Sequence, residues 1–424
     1  MNTGEGLLPS RVTTARTVML MALFCAPALL LLHKGWSAFG VLLLLCTALG
    51  FGSWRAACRP AAKVLAALLL MALLVLALAL VSMQQSGQGL RSVDYVARLL
   101  LLPWCAAVAY ALSPPRALLW WGAMAGIVLG FALACMQVMQ GADRAGAGSN
   151  PIVFANAMLT LLVLAIHCLP ARSSFWRVLA LLAILSLGMA AIVMSGSRGV
   201  LPGLAAMLLI AIIGGGRGFW LRSGIAVALL ASVLAALWFV PALAERSRLA
   251  EVRTDLHAYA RGHVDTPIGA RLEYLALAGE AFAERPWTGV GLDRFDTRIR
   301  TIPACRQQSL GVCGMGHAHN DLAQWSATLG VPGLLSILAI YLLPLALLLR
   351  LALAMPGTRT VGAAWAGAVL VLTYMLSGLT QSMFAHALTT TNYAVLVGLL
   401  IGIALGEAEA ARAPGAQRQG AAMQ

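Results

Sequence analysis

Charge is what this sequence has least of. Only 10% of its 424 residues are Asp, Glu, Lys or Arg, while 61% are hydrophobic. A soluble domain of this length has no use for so much apolar surface, which argues against an ordinary globular protein. Strict apolar–polar alternation is missing too, and that disfavours a closed β-barrel. What is present instead is a series of continuous apolar runs near 20 residues, the length a helix needs to cross a hydrocarbon core of about 30 Å. The chain therefore reads as an all-α polytopic membrane protein with twelve spans, at roughly 17–32, 37–53, 64–82, 96–112, 117–139, 150–169, 174–195, 200–215, 219–242, 321–348, 361–380 and 389–406. No small-x-small cleavage site follows the Arg-flanked first run, and a second run comes at once, so the first reads as an uncleaved span rather than a signal peptide.

Acidic residues are half as frequent as basic ones, 15 against 29, and the net charge is +14. Such a balance suggests nucleic acid until the charges are placed on the spans. With the N-terminus inside, the segments on that side hold fourteen basic residues and three acids, Glu5, Glu407 and Glu409. The long segment 243–321 carries ten of each sign. The excess is thus the positive-inside bias of a membrane protein, it puts both termini in the cytoplasm, and no nucleic-acid partner follows. Four parts result: spans one to nine over 1–242, a long outer loop with amphipathic helices over 243–320, spans ten to twelve over 321–406, and a disordered cytoplasmic tail over 407–424.

Cysteine is sparse. Five of the eight lie in spans and Cys58 in an inner loop, which leaves Cys305 and Cys313 in the outer segment. In an oxidising compartment these two can close a short loop or stay as free thiols, and sequence alone does not fix the pairing.

Polar residues, being rare, stand out. The outer connections of the first spans supply His33-Lys34, Arg91, Arg98 and Asp143-Arg144. Each cation alone reads as a side chain snorkelling to headgroups. As a set, on the side where cations are disfavoured, they suggest an anionic ligand. MSGSRGV then leaves Arg198 in a tight turn between spans seven and eight, where a held guanidinium fork suits phosphate oxygens or pairs structurally with carbonyls or an acid. In the long loop, Asp265-Thr266-Pro267 predicts a helix N-terminus with Pro at its first position, and the helix runs to about Arg285. Leu272, Leu275 and Phe282 give it an apolar face, which should lie on the outer membrane surface or on the helical bundle. Arg271 lies in its first turns, with Tyr274 three residues on and on the same side. TGVGLDRF follows no strand, so its glycines read as a tight turn and not a nucleotide loop.

Where the chain re-enters the membrane stands His317-Ala318-His319-Asn320-Asp321. A boundary histidine is costly to charge, so its pKa can be tuned downward toward a neutral base. HxH is also a possible metal pair, but no third and fourth ligand follows at a telling spacing, and structural hydrogen bonding is the other alternative. The last outer loop adds Gln381, His386 and a threonine run.

Three stretches carry a resemblance to a known family. HNDLAQWSATLGVPG (His319 to Gly333), RLEYLALAGEAFAERPWTGVGLDRF (Arg271 to Phe295) and the SRG turn at Arg198 resemble the signatures of the O-antigen ligase and polymerase superfamily. The chain departs from the ligases in one place, with Leu334-Leu335 where many have a Thr pair. The resemblance implies a GT-C-type glycosyltransferase that needs no metal ion, nucleotide sugar or other cofactor. It would move a preassembled O-antigen glycan from undecaprenyl diphosphate to a hydroxyl of lipid A–core oligosaccharide, at the periplasmic face of the bacterial inner membrane. Undecaprenyl diphosphate-linked O-antigen, lipid A–core and membrane lipids are then the expected partners. His319, Arg198 and Arg271 would be catalytic, with Lys34, Arg91, Arg98, Tyr274, His317 and Asn320 binding substrate. An O-antigen polymerase or a protein O-oligosaccharyltransferase would share this chemistry and differ in acceptor. A lipid-linked-sugar transporter is the alternative of another class, but it calls for polar or broken helices at mid-membrane depth, and here the polar residues gather at one face.

Overall fold

A computed structural model describes residues 7–32, 35–50, 53–169, 175–213, 224, 227, 251–302, 305, 311–354 and 362–412. Among these all regular structure is helical. The principal helices are α1 (Leu7–Ala28), α2 (Gly35–Gly50), α3 (Ala62–Ser86), α4 (Leu101–Leu112), α5 (Ala117–Met139), α6 (Pro151–His167), α7 (Phe175–Met194), α8 (Leu201–Ile213), α9 (Glu251–Ala260), α10 (Pro267–Glu284), α11 (Asp321–Ala354), α12 (Gly362–Gly378) and α13 (Ala387–Arg412). Five segments are long and apolar enough to cross a membrane: Ala62–Ser86, Leu90–Leu112, Ala117–Met139, Asp321–Ala354 and Ala387–Arg412. Six apolar helices of 10–17 residues accompany them. Together they coincide with eleven of the predicted spans. The ninth, 219–242, lies outside the described residues except for Gly224 and Val227.

Burial separates the core of the bundle from its surface. α6 is buried on every face from Val153 to Ile166, and α13 from Thr389 to Ala404. α13 runs along α4, and Gly398 and Gly402 let the two backbones meet: a Cβ at either would fall within 2.4 Å of the Leu102 or Ala106 carbonyl oxygen. Small residues at a helix crossing are the usual way apolar helices pack where no water drives them together. On α3 the opposite holds, with Leu69, Leu70, Leu73 and Leu74 exposed. Such a leucine stripe belongs against lipid. At the end of the bundle away from the long loop, Arg116 Nη1 lies 2.6 Å from Glu407 Oε1 and ties α5 to α13.

α9 and α10 lie at the other end. The Thr266 side chain accepts from the Gly269 N–H and caps α10, with Pro267 at its first position, as the sequence predicts. The inward side is a different one from the apolar face of Leu272, Leu275 and Phe282. Tyr274, Leu277, Ala278 and Ala281 point inward, and Leu275 is exposed. They form a small core with Phe295, Ile299, Ile302, Cys305, Ala318 and Ala327. Cys305 and Cys313, which close the edge of this core, are disulfide-bonded.

Candidate active site

The site is built around the start of α11. Asn320 Oδ1 accepts from the Ala323 N–H at 3.0 Å and caps the helix. The Asn320 amide donates to the Leu379 carbonyl at 3.0 Å. Asp321, buried, takes the Tyr341 hydroxyl at 2.7 Å and the Phe384 N–H at 3.2 Å. The loop between α12 and α13 is thereby pinned to the start of α11. His319, between these anchors, has φ of 52°. A non-glycine residue in the left-handed region costs about 1–3 kcal/mol and persists where its surroundings hold it. Here they hold its ring against Gln381, with Nδ1 2.6 Å from Oε1.

Three imidazoles meet at this point. The ring centroids of His317 and His319 are 4.4 Å apart, and those of His317 and His386 4.8 Å. Tyr274 of α10 lies parallel to the His319 ring at 6.0 Å. Burial pulls His319 down to about 4, with the charges of Arg271 and His386 adding and the Gln381 bond opposing. Burial, then its two histidine neighbours, pulls His317 down to about 2, and burial lowers His386. The sign is the one expected of desolvated cations. All three rings are neutral at pH 7, and His319 is the one beside an arginine.

Guanidinium groups form the adjoining wall. Arg198 opens the 3-10 turn Arg198–Val200 between α7 and α8. The Thr380 hydroxyl bonds the Gly199 carbonyl and fixes this turn to the loop that carries Gln381. Arg271 lies across the same glycine, where a Cβ would stand 3.7 Å from its Nη2. Arg144 reaches in from the α5–α6 connection and bonds the Ser195 carbonyl at 2.8 Å and Ser197 Oγ at 3.1 Å. Burial, then the charges of Arg198 and Arg144, lowers the Arg271 pKa. Acids from α9 stand near Arg198, Asp255 at 3.4 Å and Glu251 at 3.8 Å. Among the described residues no carboxylate pairs with Arg271. A largely desolvated cation flanked by two others is a seat for an anion with several oxygens.

The turn after α10 gives this wall its rigidity. α11 breaks at Gly330, with φ 66° and ψ −154°. The carbonyls of Ala327 and Thr328 accept instead from the Val290 and Gly291 N–H groups at 2.9 and 3.0 Å, and the Val331 N–H donates to Pro286 at 2.7 Å. The stretch read as a tight turn is one, and it also completes the hydrogen bonding of a broken helix. It goes on to α3, where the Leu292 N–H meets Ser82 Oγ at 2.9 Å and Arg294 donates to the Ser86 carbonyl at 2.7 Å.

Of the residues singled out in the sequence, His317, His319, Tyr274, Arg271 and Arg198 come together. Asn320 adjoins them as a helix cap. Arg98 bonds Asp94 at 2.8 Å and Thr391 Oγ1 at 3.1 Å, and Arg91 is exposed on the 3-10 turn Leu90–Val93, so neither is bonded to the cluster. Lys34 lies outside the described residues. Gln381, His386 and Arg144 complete the site, and their outer-loop positions were the only sequence signal for them.

Compared with known families, residues 180–338 match the family described as O-antigen ligase, Wzy_C. The matched stretch holds Arg198, Arg271, His319 and the α11 break, so the resemblance read from the sequence is shown over this part of the chain. No curated protein matches the chain.

Proposed function

We propose that this chain, whose residues 180–338 match the O-antigen ligase family, whose activity is of the glycan ligase or polymerase type, is the ligase. It transfers a preassembled O-antigen glycan from undecaprenyl diphosphate to a sugar hydroxyl of lipid A–core oligosaccharide. Twelve spans in a GT-C-type arrangement keep both termini in the cytoplasm and turn the site to the periplasmic face of the inner membrane. The observation that carries the reading is Arg271, a desolvated guanidinium flanked by Arg198 and Arg144, with the neutral imidazole of His319 beside it.

The chemistry follows from that pairing. The diphosphate of a polyprenyl-linked sugar lies at the membrane surface with its tail among helices. Arg271, Arg198 and Arg144 bind its oxygens and stabilise the charge that grows on them as the bond to the sugar breaks. His319 takes the proton of the acceptor hydroxyl while that oxygen attacks C1. One C–O bond forms, the bond between C1 and the diphosphate oxygen breaks with its electron pair going to undecaprenyl diphosphate, and the proton rests on His319. A single displacement inverts the anomeric centre. The arginines supply the charge stabilisation that a metal ion would otherwise provide.

Reconstitution with purified lipid-linked glycan and lipid A–core tests the reading, with EDTA present. We expect product of inverted configuration. His319→Ala should lower turnover by about 10²- to 10⁴-fold, the usual weight of a general base. Arg271→Ala and Arg198→Ala should weaken donor-dependent turnover, with Lys a poor substitute because it lacks the planar fork. A product formed only when divalent metal is added would overturn the role given to the arginines, and glycan transferred only to a second glycan or to protein would make the chain a polymerase or an oligosaccharyltransferase.

A further inference from the structure

A buried amide stands between His319 and the other two histidines. Gln381 has no exposed surface. Its Oε1 is 2.6 Å from His319 Nδ1, and its Nε2 is 2.8 Å from His386 Nε2. His386 Nε2 is in turn 3.0 Å from His317 Nε2. One end of an amide only donates and the other only accepts, and a neutral imidazole has one nitrogen of each kind. The protons of the four side chains are therefore coupled.

Two arrangements satisfy the chain of contacts. In the first, His386 Nε2 is bare and accepts from the Gln381 amide and from His317 Nε2–H. The Gln381 carbonyl then accepts from His319 Nδ1–H, and His319 Nε2 is left as a lone pair. In the second, His386 Nε2 is protonated and the amide turns over. Its NH₂ then faces His319 Nδ1, the His319 proton moves to Nε2, and His319 can no longer accept one.

His317 decides between them. Its Nδ1 is buried and has no hydrogen-bond partner. In the first arrangement that atom is a bare acceptor. In the second it is an N–H with nothing to receive it, the costlier of the two orphans. His386 is only half-buried, so the Nδ1–H that the first arrangement gives it has access to solvent.

We propose that Gln381 is the positioning residue of His319, and that His386, through the amide of Gln381, fixes the proton of His319 on Nδ1 and so leaves Nε2 free to act as the base. The proposal rests on the base assignment of the previous subsection. The partner is an amide and not a carboxylate, so its bond to Nδ1–H favours the imidazolium less than a negative charge would, and burial prevails. That accords with the low value of His319.

Gln381→Leu, Gln381→Glu and His319→Ala, in nanodiscs with undecaprenyl diphosphate-linked glycan and lipid A–core, test it. Gln381→Leu removes the bond without charge, and kcat should fall about 10²-fold with donor KM unchanged, since geometry at the base and not binding is lost. Gln381→Glu keeps an acceptor for Nδ1–H and adds a charge, so it should retain turnover well above the Leu variant. A carboxylate favours the imidazolium, so the acid limb of its kcat/KM profile should move up by about one pH unit or more. The limb moves only if residue 381 faces the imidazole whose protonation limits turnover, while the fall of kcat at unchanged KM in the Leu variant reads positioning. Wild-type kcat in Gln381→Leu, or an unmoved acid limb in Gln381→Glu, overturns the proposal. The limb decides even if the Leu variant does not fold. His319→Ala separates the two levels: wild-type turnover there removes the base assignment itself, whereas an inactive His319→Ala beside unaffected Gln381 variants removes only the relay.

Discussion

Arg198 is where the sequence leaves two readings open, an anion ligand or a partner of an acid. The first has the turn awaiting an anion, yet Asp255 and Glu251 of α9 already stand 3.4 and 3.8 Å away. Arg198 and Asp255 are both nearly buried, so this is a desolvated pair, and a diphosphate competes with the carboxylate for the same guanidinium. We expect Asp255→Asn, which keeps the shape and removes the charge, to lower donor KM by about fivefold, corresponding to about 1 kcal/mol of competing attraction, with kcat unchanged. Steady-state kinetics over a donor series would measure it. A raised KM would mean that Asp255 holds Arg198 in place rather than competing for it. Arg198, Arg271 and His319 were legible in the sequence because each lies in a local setting that constrains it, a tight turn, a capped helix or a membrane boundary. Gln381 and His386 carry no role there, and Arg144 enters only as one of a set of outer cations, because only tertiary packing brings the α5–α6 connection, the α12–α13 loop and the start of α11 together.

The break in α11 shows what an element requires of one residue. Gly330 combines φ 66° with ψ −154°, a region only glycine enters at low cost. A Cβ there would stand 2.4 Å from the Pro286 carbonyl oxygen and 2.8 Å from the Trp287 carbonyl carbon. Gly330→Ala should therefore destabilise by about 2 kcal/mol or more, from backbone strain and from loss of the Pro286–Val331 bond. The α10 turn would leave α11, and turnover should fall because α11 carries His319 at its start. Gly279→Ala is the control. It lies exposed in α10 with nothing within 4 Å of its Cβ, and it should be neutral or more stable by up to about 1 kcal/mol. Thermal unfolding in detergent would read both, and equal midpoints would remove the strain argument. The capped start of α10 was legible from Thr266-Pro267, since capping is local chemistry. Which of its faces turns inward is not legible from apolar periodicity: Leu275 is exposed, as an apolar face laid on the membrane surface allows, while Tyr274, Leu277, Ala278 and Ala281 turn inward. The helix break was invisible to apolar-run counting, which treats 321–348 as one span.

For the whole molecule, apolar runs located the helices because each long run must satisfy its backbone internally. They said nothing of which helices lie inside, and α6, α13 and α3 have similar composition but opposite exposure. Charge, more than composition, supports the proposed orientation. Fourteen basic residues against three acids fall on one side of the predicted spans, and the disulfide-bonded Cys305 and Cys313 belong to the predicted outer segment, which accords with an oxidising compartment. Sidedness can be tested with a membrane-impermeant maleimide, on a variant that keeps Cys305 and Cys313 and lacks the six free thiols. Ala283→Cys is exposed at the end of α10, and Ala410→Cys is exposed near the end of α13 beside the Arg116–Glu407 pair. Cells with a permeabilised outer membrane should label Cys at 283 at once and Cys at 410 only after the inner membrane is lysed. Labelling of 410 first would turn the molecule over. The arginine and histidine walls would then face the cytoplasm, away from any glycan assembled in the periplasm, and the proposed reaction would have no access to its acceptor.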